Sequence, residues 1–232
     1  MTQDKREAVE LLLANRLYLY SLLHKTFGRE PNGELLTLLS GEDTARAFGM
    51  LSGEKGDILE RTGLFLAAVR EKKDDPLWLD EVKGEYMRLF VGPDKLVAPP
   101  WESVYLGEDA MLFQKVTLEV REIYRGFGLL PEGYPHVADD SLPLELAFMA
   151  KLAERAMEDW QSGDMEGLDR LLESSGDFLS KHLLRWVPKF LERMQKASTQ
   201  YLYPQLCVVL DAFLPRDLET VKELREAIAE NE

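Results

Sequence analysis

Cysteine occurs once in the 232 residues, at Cys207. A lone thiol forms no disulfide within the chain, so a packed core must hold the fold, as expected in a reducing cytoplasm. Within the apolar run LCVVL, Cys207 reads as a small buried hydrophobe. Histidine occurs three times, as His24, His136 and His182. None stands in a His-Glu-x-x-His or Glu-x-x-His spacing, so catalytic zinc and di-iron sites have no support. The sequence also lacks a Gly-x-x-x-x-Gly-Lys-Ser/Thr phosphate loop, a Gly-x-Ser-x-Gly elbow and a Cys-x-x-Cys pair. No stretch approaches the ~20 apolar residues that span a bilayer. The opening MTQDKREAVE has no apolar signal-peptide core. These absences lead to the expectation of a cytoplasmic protein that is not an enzyme, with no catalytic residue, no metal and no cofactor.

Basic side chains are also in deficit: 28 against 42 acidic ones, a net charge of −14. Phosphate backbones need a basic patch, so nucleic acid is excluded as a partner. The surplus suits a cationic partner, or simply solubility. The carboxylates fall on what read as solvated helix faces, and none is singled out as an acid–base pair. A hydrophobic content of 45% is enough for a core, and the length fits one large domain or two small, closely packed ones.

What is present is helical periodicity. Residues 5–27 place Val9, Leu12, Leu13, Arg16, Leu17 and Tyr20 on one side, and Gly28 and Pro31 end that helix. Short helices are expected over 33–39 and 42–51, then one over 57–73 with Asp57 as cap. Another starts near Pro76. Beyond it, helices are expected over 108–125, from Pro143 to Trp160, over 165–174 and 176–186, then one that Pro188 starts or kinks and that runs to about Ala197, and two more over 198–214 and 217–230. Asp139, Asp140 and Ser141 are candidate caps for the helix at Pro143. β-branched residues are sparse and no period-two run is long enough for a sheet, so the fold class is all-α, with about ten helices. Residues 126–141, GFGLLPEGYPHVADDS, carry the densest turn signals. They set the expected division into an N-terminal half, 1–125, a hinge, 126–142, and a C-terminal half, 143–232.

The chain is organised around YMRLFVGPDKLVAPPWESVYL, residues 86–106. Trp78, Val82, Tyr86, Leu89 and Phe90 share a helical face, and Gly92-Pro93 stops the helix. Pro99 and Pro100 hold the connection extended. Trp101, Ser103 and Tyr105 would then project to one side. A loop so rich in aromatic residues is poorly explained as a mere connection. Leu89 and Phe90 serve equally well as core. Glu102 would bind an arginine or cap the next helix, and His182 would pack beside Trp186 one turn on.

This stretch resembles the signature of the TorD/DmsD family of redox-enzyme maturation chaperones. The matching residues are Tyr86, Leu89, Phe90, Gly92, Pro93, Pro99, Pro100, Trp101, Ser103, Val104 and Tyr105. A second motif of that family, an acidic turn feeding a Glu-Leu-x-Phe-Met helix, is similar to Ala138, Asp139, Asp140 and Ser141 followed by Glu145, Leu146, Phe148 and Met149. Asp140 is kept, whereas Ser141 replaces the family histidine. His182, Trp186 and Pro188 resemble a third motif.

The resemblance implies a TorD-like fold and a chaperone that binds the twin-arginine leader or apoprotein of a molybdopterin-containing reductase subunit until its cofactor is inserted and it is exported. It implies peptide binding by Tyr86, Leu89, Phe90, Trp101, Glu102, Ser103, Tyr105 and Asp140, in a loop shaped by Gly92, Pro93, Pro99 and Pro100. Partners would be that leader and catalytic subunit, with the translocase or the cofactor-biosynthesis machinery as further ones. The chain would be mainly a monomer, with a minor domain-swapped dimer opening at the hinge. Two alternatives stay open: a helical protein binding guanine nucleotide or molybdopterin, and an assembly chaperone for a non-exported nitrate-reductase-type subunit.

Overall fold

The computed structural model describes residues 2–51, 57–93, 95–107, 114–131, 138–197 and 201–230. These residues form α1 (Gln3–Gly28), α2 (Gly33–Leu39), α3 (Glu42–Gly49), α4 (Asp57–Lys72), α5 (Pro76–Tyr86), α6 (Ser103–Leu106), α7 (Lys115–Gly126), α8 (Leu142–Ser162), α9 (Met165–Phe178), α10 (Leu184–Met194) and α11 (Tyr203–Ala229). A π-helical turn, Met87–Val91, continues α5, and another, Leu179–Leu183, joins α9 to α10. Counting each π-interrupted run as one helix leaves ten, and no strand occurs among the described residues. The all-α expectation therefore holds.

The chain forms two compact units that do not follow its order. One contains 1–24, 101–186 and 214–232; the other contains 25–100 and 187–213. Both helices that flank the expected hinge at 126–142, α7 and α8, lie in the first unit. Residues 132–137 of that segment lie outside the described residues, as do 52–56, 108–113 and 198–200, where a break and two helix starts were expected.

In the first unit, α8 carries Leu142, Leu146, Met149, Ala153, Ala156 and Trp160 along one buried face. Their three- and four-residue spacing is that of a single helical stripe. Ala156 and Trp160 meet Leu168 and Leu172 of α9, Val9 and Leu13 of α1, and Val221 and Leu224 of α11 in one apolar cluster. Gly163, at φ 84°, ends α8 in the left-handed conformation that glycine adopts without strain. Asp164 then caps α9 by accepting a hydrogen bond from the Gly167 amide at 2.8 Å.

In the second unit, α2 and α3 pack on α4 and bury Leu35, Leu36, Leu39, Ala47, Phe48, Leu66 and Val69. Asn32 caps α2 through the Leu35 amide at 2.9 Å, and Asp75 caps α5 through the Leu77 amide at 3.0 Å. Gly92, at φ 101°, closes the π turn and donates its amide to the Met87 carbonyl.

Several expectations are corrected. The last two helices are one, α11, with Pro215 inside it. Proline removes one ladder hydrogen bond, but Asp211, whose carbonyl loses that partner, is exposed and open to solvent. Likewise α9 runs unbroken to Phe178, and Pro188 lies inside α10, one turn beyond a π turn that already loosens the ladder. Asp57 begins α4, but its side chain lies outside the described residues.

Asp217, expected at a helix start on a solvated face, is 1% exposed and forms a fork with Arg16, which is 2% exposed. Asp217 Oδ1 lies 2.6 Å from Arg16 Nε and Oδ2 lies 3.2 Å from Nη2. The Tyr20 hydroxyl donates to the same Oδ2 at 2.6 Å. Removing one member leaves a buried charge without its partner. Asp217→Ala is expected to lower the unfolding free energy by about 3–5 kcal/mol, measured by urea denaturation.

Candidate functional site

The expected binding residues fall in both units. In the second unit, Tyr86 and Phe90 join Phe27 and Tyr203 in an aromatic cluster. Ring centroids lie 5.3 Å apart for Tyr86 and Phe90, 4.9 Å for Phe90 and Tyr203, and 6.0 Å for Phe27 and Phe90. Leu89 is buried core. Glu85, on the same helical stripe as Trp78 and Val82, is fully buried and accepts the amides of Tyr201, Leu202 and Tyr203 at 3.1, 2.7 and 3.2 Å. It thereby caps the start of α11 from another helix, a role that periodicity does not reveal. Pro100 is buried and Pro99 half-buried, while Pro93 is exposed.

In the first unit, residues 101–106 do not continue the chain as an extended strand. Trp101 forms an isolated antiparallel bridge with Ser141, and the chain then turns into α6. This corrects the picture of Trp101, Ser103 and Tyr105 projecting to one side. Asp140 holds the turn twice: its carbonyl accepts the Glu102 amide at 2.9 Å, and its Oδ2 accepts the Ser103 amide at 2.7 Å. Asp140 is therefore not the cap of α8. Ser141 occupies that position without a side-chain bond, and the Asp140 carboxylate serves α6 instead.

Glu102 is fully buried and stands at the N-cap position of α6, but its side chain makes no capping bond there, and among the described residues it pairs with His182 rather than with an arginine. Its two carboxylate oxygens lie 3.2 and 2.9 Å from His182 Nδ1. His182 stacks on Phe178, one turn before it, with centroids 4.8 Å apart, rather than on Trp186. The Trp186 ring stacks on Tyr105 at 5.5 Å, and its Nε1 donates to Glu145 Oε2 at 2.9 Å. Arg121 of α7 donates Nε and Nη2 to Asp139 Oδ2 at 3.0 and 2.7 Å. The Tyr124 hydroxyl donates to the Asp139 carbonyl at 3.1 Å.

The first unit thus brings together Trp101, Glu102, Ser103, Tyr105 and Asp140 from the expected set, and adds Asp139, Glu145, Arg121 and His182. The reading of all carboxylates as solvated is overturned, because Glu102, Asp139, Asp140 and Glu145 are each 0% exposed. Burial above all, then the neighbouring Glu102 and Asp140, holds the Glu145 carboxyl well above the ordinary carboxylate range; the Trp186 bond opposes this only in part. Burial, followed by Glu145 and Asp139, likewise raises the Tyr124 hydroxyl. Among the described residues no cluster of His, Cys, Asp and Glu has the arrangement of a metal site. An open groove of about 730 Å³ runs along this unit, lined by Lys115, Leu118, Ile123, Lys181, His182 and Arg185 among others. No helix of the described residues is long and apolar enough to cross a membrane.

The signal for the carboxylate cluster was present in the second motif, where two aspartates precede a helix carrying Glu145 within an apolar run. Nothing local pairs Glu145 with Trp186, 41 residues away, or Glu102 with His182, 80 residues away.

Residues 58–192 match the family described as nitrate reductase delta subunit. The chain is similar to a chaperone protein TorD of Vibrio cholerae, with 28% identity over 221 residues, covering 95% of this chain and 94% of the relative. A chaperone protein TorD of Photobacterium profundum shares 24% over 207 residues, covering 87% and 92%. A probable Tat proofreading chaperone DmsD of Haemophilus influenzae shares 29% over 125 residues, or 54% of each chain.

Trp186→Phe keeps an aromatic ring, though a smaller one, and removes the donor to a buried oxygen. It is expected to lower stability by about 1–3 kcal/mol, read from chemical denaturation, with the far-ultraviolet circular dichroism unchanged.

Proposed function

Since this chain belongs to the nitrate reductase delta subunit family, with the TorD and DmsD chaperones, we propose that it is a cytoplasmic maturation chaperone. Its ligand is the twin-arginine leader, or the apoprotein, of a molybdopterin-containing reductase subunit, which it protects until cofactor insertion and export. On this reading it performs no catalysis.

One observation carries the proposal. Trp101 stays half-buried while the backbone of the next two residues is tied to a fully buried aspartate. A large aromatic ring on a pre-set backbone loses little freedom when it takes up a ligand, which is the character of an anchor residue. A leader offers an apolar stretch for such a ring and a cationic head. The net charge of −14 favours encounter with that head.

In the second unit, the half-buried rings of Tyr86 and Phe90, backed by the buried Phe27 and Tyr203, offer aromatic surface of the same chemistry. The fully buried Glu102 and Asp140 act chiefly by holding residues 101–105, and not as open sites for guanidinium groups.

Trp101→Ala is expected to weaken binding of a synthetic leader from the client subunit by about 30-fold, the loss of roughly 2 kcal/mol typical of an anchor. Isothermal titration calorimetry measures this, with circular dichroism as the folding control. Unchanged affinity in the folded variant would remove Trp101 from the site.

A further inference from the structure

In the first unit, α7 presents an apolar stripe to solvent. Leu118 is 55% exposed, and Ile123 and Phe127 are half-buried. Leu118 and Ile123 line the open groove of about 730 Å³ together with His182 and Arg185. Ile123 and Phe127 line a cleft of about 230 Å³ together with Phe178 and His182. Groove and cleft share Ile123, Lys181 and His182, so they form one channel, and all of its walls belong to the first unit. Leu118 accompanies Arg185 at one end and Phe127 accompanies Phe178 at the other. The α7 wall therefore runs antiparallel to the wall made by α9, the π turn and α10. From Lys115 to Phe127 it is about 18 Å long, roughly three turns of helix. Two helical walls with an apolar floor have the shape that receives a third, amphipathic helix.

The polar groups along the channel are not equally engaged. Lys115 pairs with Glu119 at 3.3 Å, Lys181 with Asp177 at 2.7 Å and Glu122 with Arg125 at 2.8 Å. Arg185 is exposed and has no ion pair among the described residues. One turn before it, His182 is only 6% exposed, and its Nδ1 is taken up by Glu102. The other ring nitrogen, Nε2, has no hydrogen-bond partner among the described residues, while the ring lines both parts of the channel. His182 also belongs to a π turn, a distortion that recurs at functional sites. An arginine and a buried imidazole nitrogen thus stand side by side at the rim of an apolar floor.

We propose that this channel is a second docking surface, separate from the Trp101 loop. It takes an amphipathic helix from the mature part of the client subunit, with apolar residues on Leu118, Ile123 and Phe127 and a carboxylate on Arg185. The choice of client rests on the maturation-chaperone reading; the chemistry of the occupant rests on the channel alone. The sign of the charge selects the mature part over the leader. A twin-arginine head is repelled by Arg185, whereas a carboxylate forms a charge-assisted fork with it beside His182 Nε2. Both surfaces then hold one client chain. The second contact becomes intramolecular, which raises the overall affinity without any new contact at the loop.

The test uses overlapping peptides of about 18 residues, about five helical turns each, that tile the mature client subunit. They are titrated against the full chain by fluorescence anisotropy, with the synthetic leader as a separate probe. At least one peptide should bind the wild-type chain and stay bound when unlabelled leader is added. It should carry apolar residues at three- and four-residue spacing and an acidic residue on the same face. Leu118→Asp, which sets a carboxylate on the apolar floor, should weaken its binding by about 30-fold, the loss of an anchor contact. Arg185→Glu reverses an exposed charge and should weaken it by about tenfold or more, which keeps the test open if Leu118→Asp fails to fold. Both variants should bind the leader as the wild type does.

A leader that binds while no mature peptide does would overturn the second surface and leave the leader reading standing. So would a peptide that binds both variants as tightly as the wild type, or one that the leader displaces. A mature peptide that binds and is weakened by both variants, with no binding of the leader, would uphold the channel and overturn the leader reading. Binding of neither probe would overturn both.

Discussion

A carboxylate taken out of water must find donors or a proton, and among the described residues six lie in the interior: Glu85, Glu102, Asp139, Asp140, Glu145 and Asp217. Each answers the requirement differently. Glu85 takes three backbone amides, Asp140 one amide, Asp139 and Asp217 an arginine each, Glu102 a histidine, and Glu145 an indole. Because an unpaired buried charge costs several kcal/mol, each pairing selects one arrangement of the elements that carry it. Apolar stripes bring helices together, but a leucine face tolerates small shifts. A carboxylate with a single fitting donor tolerates far less.

In the first unit this selectivity is concentrated where the chain has least regular structure. Residues 101–106 contain one isolated bridge and a four-residue helix. Such a segment has too few ladder bonds to hold itself. Asp140 supplies the missing acceptors, Glu102 ties the segment to the π turn after α9, and Tyr105 rests on Trp186, which in turn is held by Glu145 of α8. The segment is thus tied down by side chains in place of ladder bonds, with the Trp101 ring left half-buried. A chaperone that recognises a short segment needs such a surface, because every residue it must order on binding subtracts from affinity.

Most helices were legible, because three- and four-residue spacing is a local property: α2, α8 and the stop at Gly92 lie where the pattern places them, whereas the four-residue α6 is too short to show a period. Proline was over-read. Pro188 and Pro215 lie inside helices because a lost ladder bond at an exposed or loosened turn is tolerable. The units themselves were not legible, because periodicity shows which face is buried but not what covers it. For the site, the Pro-Pro-Trp segment and Asp140 stood out as residue types in an unusual order. The roles of Glu102, Glu145 and Asp139 did not, because a glutamate on a helix looks solvated until a partner from a distant part of the chain closes over it.

Asp140 holds the backbone of residues 101–105 through the Glu102 and Ser103 amides, and amide hydrogen exchange tests this most directly. In the wild-type chain the Ser103 amide, bonded to the buried Asp140 carboxylate, should exchange as slowly as the amides in the middle of α8. In Asp140→Ala it should exchange faster by about 100-fold or more while those α8 amides keep their protection, the behaviour of a segment that opens on its own. Equal protection of Ser103 in both proteins would contradict the claim.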